Sequence, residues 1–234
     1  MSVTAPKRNH VRAMFTRIAG RYDLMNSIMT GGRHHAWRRA VARAAVAAPP
    51  GPILDLATGT GDLALEILAL DPARTVVGAD FSEGMLRAAA AKLAARRAPR
   101  LPLLSADALA LPFADGTFAC VTSAFLLRNL EDLGSGLAEM RRVTQRGGRV
   151  IALDIVRPAT PVWDRVFALY FHRVVPAVGT LVARDRAAYT YLPASVARFV
   201  TPAELARLMA RADLRDVTYR RLGLGTVALH LGFA

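Results

Sequence analysis

Asp55-Leu56-Ala57-Thr58-Gly59-Thr60-Gly61-Asp62 decides the fold. The apolar residues 52–57 that lead into it read as a buried strand, the two glycines as a tight turn, and the stretch through residue 69 as an amphipathic helix. Working outward, residues 75–80 (TVVGAD) give a second strand. Ser82 follows as an N-cap, with Glu83 in the first turn of an Ala-rich helix to about residue 97. Residues 103–107, 118–123 and 149–156 supply three more strands, the last preceded by the turn Arg146-Gly147-Gly148, and 217–221 with 227–231 form a terminal pair. Short apolar runs alternating with helical stretches predict an α/β fold. It is Rossmann-like: a mostly parallel seven-stranded sheet with helices on both faces.

The acids around the turn select its ligand. Gly59-Thr60-Gly61-Asp62-Leu63-Ala64 satisfies the dinucleotide fingerprint with Ala in its third position. Yet Asp55 and Asp62 flank the turn, and a carboxylate there opposes a pyrophosphate at a helix N-terminus. S-adenosyl-L-methionine has no phosphate and two cationic groups, so the same acids favour it. Asp80, with Phe81 beside it, ends the second strand, where a carboxylate accepts from ribose hydroxyls. Asp107-Ala108 follows the third, where the acid and the next backbone amide match the edge of adenine. Each acid alone reads as an ordinary cap or loop residue; together they select this cofactor. Asp55, Thr58, Gly59, Thr60, Gly61, Asp80, Phe81, Asp107 and Ala108 form the expected cofactor set.

The chain has 234 residues, 53% of them hydrophobic, and a formal net charge of +13. That length and hydrophobicity give one compact domain and exclude disorder as its main state. The charge is unevenly placed: residues 1–43 carry +8, 44–156 carry −1 and 157–234 carry +6. Arg and Ala richness fits a GC-rich genome, but that does not explain the placement. The single cysteine, Cys120, excludes a disulfide framework and points to a reducing, cytoplasmic compartment. Residues 162–183, the longest apolar stretch, are interrupted by Asp164, Arg165, His172 and Arg173, so no transmembrane span is expected. No His/Cys/carboxylate set has metal-ligand spacing.

Both ends read as helical. Residues 1–48 form an N-terminal cap on the substrate side, with helices over 8–25 and 34–48 separated by Met29-Thr30-Gly31-Gly32. Residues 49–156 form the cofactor-binding core, 157–200 a helical insertion, and 201–234 complete the sheet. Within the insertion Trp163, Val166, Phe167, Tyr170, Phe171 and Val174 share one helical face. Packing on the domain is the plain reading of that stripe; a lid over an apolar substrate or a membrane-facing surface is the other.

The segments Met14-Phe15-Thr16-Arg17-Ile18-Ala19-Gly20-Arg21-Tyr22-Asp23-Leu24-Met25-Asn26 and Ala188-Tyr189-Thr190-Tyr191-Leu192-Pro193-Ala194-Ser195 are more specific than the cofactor turn. With Trp37-Arg38-Arg39, residues 111–118 (LPFADGTF), Leu127-Arg128-Asn129 and the tail through Ala228-Leu229-His230, the chain resembles the menaquinone and ubiquinone biosynthesis C-methyltransferases along nearly its whole length. The resemblance implies a class I methyltransferase that adds a methyl group to a ring carbon of a polyprenylated quinol, demethylmenaquinol first. It also carries substrate-side roles to Tyr22, Arg128 and Asn129. Where that family commonly has Ser-Phe-Gly-Leu-Arg-Asn, this chain has Ala124-Phe125-Leu126-Leu127-Arg128-Asn129, which reshapes the acceptor side.

Arg128 is expected to stabilise a quinolate electrostatically while Asn129 orients it; arginine keeps its proton, so the base lies elsewhere. A water held by Arg128, a nearby carboxylate and the histidines His34, His172 and His230 are the candidates. His34 reads as solvated on a basic helix and His230 as core. An RNA methyltransferase is the rival that the charge favours, but there is no appended RNA-binding module and no catalytic cysteine or Asn-Pro-Pro-Tyr-type segment after the fourth strand. A methyltransferase of secondary metabolism and a non-catalytic cofactor-binding module complete the alternatives. The expected partners are a lipid-tailed quinol and an anionic membrane on the inner face of the cell membrane, met by the basic ends. No nucleic acid is expected, and the oligomeric state stays open, a homodimer included.

Overall fold

The computed structural model describes residues 5–96, 101–180 and 185–234. Three helices come first: α1 (Ala5–Ile18), α2 (Tyr22–Thr30) and α3 (Arg33–Val46). The single helix predicted over 8–25 is in fact two, broken by a 3-10 turn at Ala19–Arg21 that contains Gly20. Then follow β1 (Ile53–Leu56), α4 (Asp62–Leu70), β2 (Val76–Asp80), α5 (Glu83–Ala95), β3 (Leu103–Ser105), β4 (Phe118–Ala124), α6 (Leu133–Val143) and β5 (Thr144–Ile155). Ser82 caps α5 as predicted, accepting from the Met85 amide. The insertion holds α7 (Pro161–Leu169), a π-helical turn Tyr170–Val174, α8 (Val175–Val178) and α9 (Arg186–Arg198). The chain ends with α10 (Pro202–Arg211), β6 (Arg215–Leu222) and β7 (Val227–Phe233).

The seven strands form one sheet in the order β3-β2-β1-β4-β5-β7-β6, in which β7 runs antiparallel to both of its neighbours and the other pairings are parallel. Strand pleat sends alternate residues to opposite faces. Ile53, Cys120 and Ile151 pack with Val41 and Ala45 of α3 and Ile67 of α4, while Leu54, Val121 and Val150 pack with Leu137 and Met140 of α6 and Met209 of α10. Each such large side chain removed from water contributes about 1.5–3 kcal/mol. The edges are guarded: β3 has three residues, and β6 carries exposed Arg215, Arg220 and Arg221. A third apolar cluster joins Met14, Ile18 and Met25 of the cap to Met85 of α5 and to Val175, Ala188 and Tyr189 of the insertion. Among the described residues, no helix is long and apolar enough to cross a membrane.

The order reverses between β1 and β4, and a crevice opens there at the strands' carboxyl ends, where α/β sheets place their ligands. Both strands run out into a non-glycine residue with left-handed backbone, Ala57 at φ 57° and Phe125 at φ 66°. Such conformations cost of order 1–3 kcal/mol each and persist where the surroundings impose them.

Candidate active site

Gly59 and Gly61 hold φ of 58° and 84°, which gives the turn after β1 its shape. Asp55 is buried behind that turn, accepting from the hydroxyls of Thr58 (2.7 Å) and Thr122 (3.2 Å). Burial pushes its carboxyl up to about 6, against those hydrogen bonds. The far side of the turn is an ionic knot. Lys92 meets Asp23 at 2.5 Å and Asp62 at 2.6 Å and donates to Thr60 Oγ1 at 2.9 Å; Thr60 donates to Asp23, and Arg38 pairs with Asp62 at 2.6 Å. Burial raises Asp62, but Arg38 and Lys92 more than offset it and hold its carboxyl below the usual range. Asp55, Thr58, Thr60 and Asp62 thus brace the turn from behind.

On the open side, Gly59, Asp80, Phe81, Asp107 and Ala108 come together around a cavity of about 80 Å³, with Leu126, Leu109 and Glu131 completing it. Asp80 accepts from the amides of Gly59 (2.9 Å) and Ser82 (2.8 Å), yet burial still raises it to about 6. Asp107 receives the Leu109 amide at 3.0 Å and the Arg8 guanidinium at 2.7 Å, and Glu131 receives the Arg8 amide. Three carboxylates with apolar neighbours suit a cationic ligand that carries a flat base.

Across one wall lies a larger, mostly apolar cavity of about 390 Å³. Phe15, Tyr22, Phe125 and Asn129 line both spaces and form that wall. The aromatic stripe of the insertion faces this space: Trp163, Phe167, Tyr170 and Phe171 line it, tied across by Trp163 donating to Leu224 O (3.0 Å) and Tyr170 to Met29 O (2.8 Å). The insertion is therefore a roof over a cavity.

The loop after β4 is fixed by its own side chains. Arg128 Nη1 donates to the Phe125 carbonyl (2.8 Å) and pairs with buried Asp154 at 2.5 Å, and Asn129 Nδ2 donates to the same carbonyl (3.0 Å). Asn129 Oδ1 in turn accepts from the Tyr191 hydroxyl (3.3 Å), which burial keeps protonated beyond its ordinary range. Tyr22, Arg128 and Asn129 all line the larger cavity, but Arg128 arrives already balanced by Asp154.

No motif in the sequence marks the parts taken by Asp154 and Arg8, or the Tyr191 hydroxyl on Asn129. An acid inside the apolar run Val150–Val156 was the available signal for the first. His34 is buried and lines the larger cavity, against the solvated reading. His230 lies in the core, bonded through Nε2 to Pro202 O and stacked on Tyr219. The side chain of His172 lies outside the described part.

Residues 3–234 match the ubiE/COQ5 methyltransferase family. The chain is 44% identical over 228 residues to a demethylmenaquinone methyltransferase of Roseiflexus castenholzii, covering 97% of this chain and 94% of that one. It is 43% identical over 222 residues to a ubiquinone/menaquinone biosynthesis C-methyltransferase UbiE of Desulfotalea psychrophila, covering 95% and 89%. Among solved structures, a SAM-dependent methyltransferase from Aquifex aeolicus superposes with a TM-score of 0.63 at 15% identity, over 90% of this chain and 96% of that one, which speaks for the fold. The knot behind the glycine turn, the acid-lined crevice and the roofed aromatic cavity are thus the frame of a chain that belongs to the ubiE/COQ5 methyltransferase family.

Proposed function

We propose that this enzyme transfers the methyl group of S-adenosyl-L-methionine to a ring carbon of a lipid-tailed quinol, with the naphthoquinol as first acceptor. The observation that carries the reading is the shared wall: an acid-lined crevice at the switch point touches a roofed aromatic cavity through Phe15, Tyr22, Phe125 and Asn129. Gly59, Asp80, Phe81, Asp107 and Ala108 would hold the cofactor, which supplies an electrophilic methyl group and departs as a neutral thioether. The protein's own work is alignment. Well-oriented partners gain roughly 7–11 kcal/mol over free encounter, and the clamped loop at Phe125 and the roof at Tyr170 fix the acceptor side. Arg128 and Asn129 set that loop and present donors to the quinol oxygen; with Asp154 beside it, Arg128 acts through directed N–H groups rather than a bare charge. Ala124 and Leu126, expected from the resemblance to reshape the acceptor side, line the cofactor crevice and not the larger cavity.

The mouth of the larger cavity supports a membrane partner. Leu24 and Ile28 of α2, Val162 and Leu169 of α7 and Leu224 are all exposed large apolar residues, and the Trp163–Leu224 and Tyr170–Met29 hydrogen bonds join their elements into one face. Exposed Arg33 lines the same cavity, and exposed Arg165 lies on α7. An anionic bilayer fits such a surface: apolar burial anchors it, and each basic residue adds about 1 kcal/mol. A substrate with a prenyl tail would enter from the lipid without crossing water.

The test is methyl transfer from labelled cofactor to demethylated naphthoquinol, benzoquinol and RNA. Transfer to a quinol and none to RNA is expected; RNA alone as acceptor refutes the reading. In flotation assays the protein should rise with anionic vesicles at low salt and less at high salt, and Val162→Ser with Leu169→Ser should stay below; equal flotation of variant and parent removes this face.

A further inference from the structure

A phenol-like hydroxyl, with a pKa of about 10 in water, must give up its proton before the neighbouring ring carbon becomes a strong nucleophile. Among the described residues lining the acceptor cavity there is no carboxylate, and the guanidinium groups of Arg33 and Arg128 offer donors and no lone pair. The lining group with a usable lone pair is revealed by a short hydrogen-bond chain. Thr30 Oγ1 lies 2.7 Å from the Asn26 carbonyl oxygen and 2.8 Å from Nδ1 of His34. The carbonyl can only accept, so the single hydroxyl proton of Thr30 goes to it. His34 Nδ1 must then carry hydrogen and donate to Thr30, an assignment made from the network. The lone pair is left on Nε2, which has no hydrogen-bond partner among the described residues.

His34 is 1% exposed overall and lines the acceptor cavity. Burial first, then Arg38 and His35 of its own helix, lower its pKa to about 4, against the pull of Asp62 from α4 and Asp23 from α2. The free imidazole is therefore neutral at working pH, with its lone pair available. Its proton affinity rises once a quinolate shares the cavity, because the imidazolium then has an anion beside it.

On the reading of the chain as a quinol C-methyltransferase, we propose that Nε2 of His34 is the general base that takes the proton of the acceptor hydroxyl. The O–H bond breaks, the proton passes to Nε2, and the electron pair it leaves delocalises onto the ring carbon that will be methylated. After transfer, that carbon loses its hydrogen to water as a proton, and the pair restores the aromatic ring. His34 returns its own proton to the oxygen. One proton is released per methyl group transferred, and the imidazole ends as it began. Thr30 is the positioning residue that holds the tautomer.

Three readouts test the assignment. Nitrogen-15 spectra of the cofactor-free protein should show His34 protonated on Nδ1 and bare on Nε2. A nitro-substituted naphthol whose ionised form absorbs visible light should bind ionised to the parent protein and neutral to His34→Asn, whose amide keeps the donor to Thr30 while removing Nε2. Turnover of the naphthoquinol in His34→Asn should fall about 10²–10⁴-fold with the cofactor KM unchanged. The acid limb of kcat/KM in the parent should lie near 4 rather than at the ordinary 6.5 of a solvated histidine. A proton on Nε2, or full turnover in His34→Asn, overturns the proposal. Failure of the unaltered enzyme to methylate any quinol would strike the functional reading, while the tautomer and the bound naphthol still judge His34.

Discussion

Replacing Asp154 by Asn keeps the shape of the β5 terminus and removes one charge from a sealed pair. Asp154 is 1% exposed and the side chain of Arg128 only 7%; they meet at 2.5 Å, and Asp154 also receives the backbone amides of Arg128 (3.2 Å) and Ile155 (2.8 Å). An ion pair this buried gains little over apolar residues of equal volume, but stripping one partner leaves the other charge in low dielectric at a cost of about 3–5 kcal/mol. Against a total stability of about 5–15 kcal/mol, that is a large fraction. With a urea slope of about 3 kcal/mol per molar, the unfolding midpoint of Asp154→Asn should drop by roughly 1–1.7 M. The double variant Arg128→Met/Asp154→Leu should recover most of that loss and none of the methyl transfer, because the Phe125 carbonyl has lost its Arg128 donor. Urea melts of the parent, Arg128→Met, Asp154→Leu and the double variant give the coupling directly. A midpoint for Asp154→Asn within about 0.3 M of the parent, near 1 kcal/mol by the same slope, would refute the view that this pair clamps the loop.

Three further outcomes follow from the same geometry. Tyr191→Phe removes only the hydroxyl that holds Asn129 Oδ1; stability should change by about 0.5–1.5 kcal/mol, while kcat falls and cofactor affinity measured by calorimetry stays put, so an unchanged kcat sinks the positioning role. Gly84→Ala should destabilise and loosen α1, since a Cβ there would stand 2.8 Å from the Thr16 Cα; a melt showing the gain of up to about 1 kcal/mol that alanine brings to an ordinary helix would contradict the close crossing. Asp55 and Asp80 bind protons more tightly folded than unfolded, so stability should decline as pH rises from 3.8 to about 6. Each contributes on the order of 3 kcal/mol to that decline, Asp55→Asn should remove its share, and an undiminished decline in that variant's melts would argue against a buried charge there.

The local part of the fold was legible because its signals are local. The strand before Asp55, the glycines and the amphipathic stretch after them follow within a few residues, and Ser82 capped its helix as composition predicts. Errors arose where two readings share one pattern. Gly20 sat within a helical period and gave no sign that the chain turns there. Arg146-Gly147-Gly148 read as a turn ahead of a strand, whereas β5 already begins at Thr144 and carries the glycines through an irregular register with β4. Contacts between distant residues left no trace at all. Arg8, Arg12, Arg38 and Arg39, counted as part of a basic end, pair with Asp107, Glu83, Asp62 and Glu66 of the core. The uneven charge along the chain is in good part how the cap attaches to an acidic middle. His34 was misjudged for a similar reason: helical periodicity ranks faces by polarity and cannot see that a polar face borders an internal space.

The first two turns of α1 lie across the cofactor crevice and are held there by buried Val11 and by polar contacts. Lys7 donates to Leu130 O, Arg8 pairs with Asp107, and Arg12 pairs with Glu83. Ion pairs this exposed are worth about 0–1 kcal/mol and weaken with salt, so buried Val11 is the firmer anchor of the segment. Arg8 occupies the same carboxylate that is expected to receive the adenine amine. If the adenine amine takes that carboxylate from Arg8, loading the cofactor would be an exchange of donors at Asp107, and its apparent affinity would be a difference between two competing partners rather than the full attraction of either. Shortening Arg8 should therefore tighten the cofactor, a gain obtained by removing a contact.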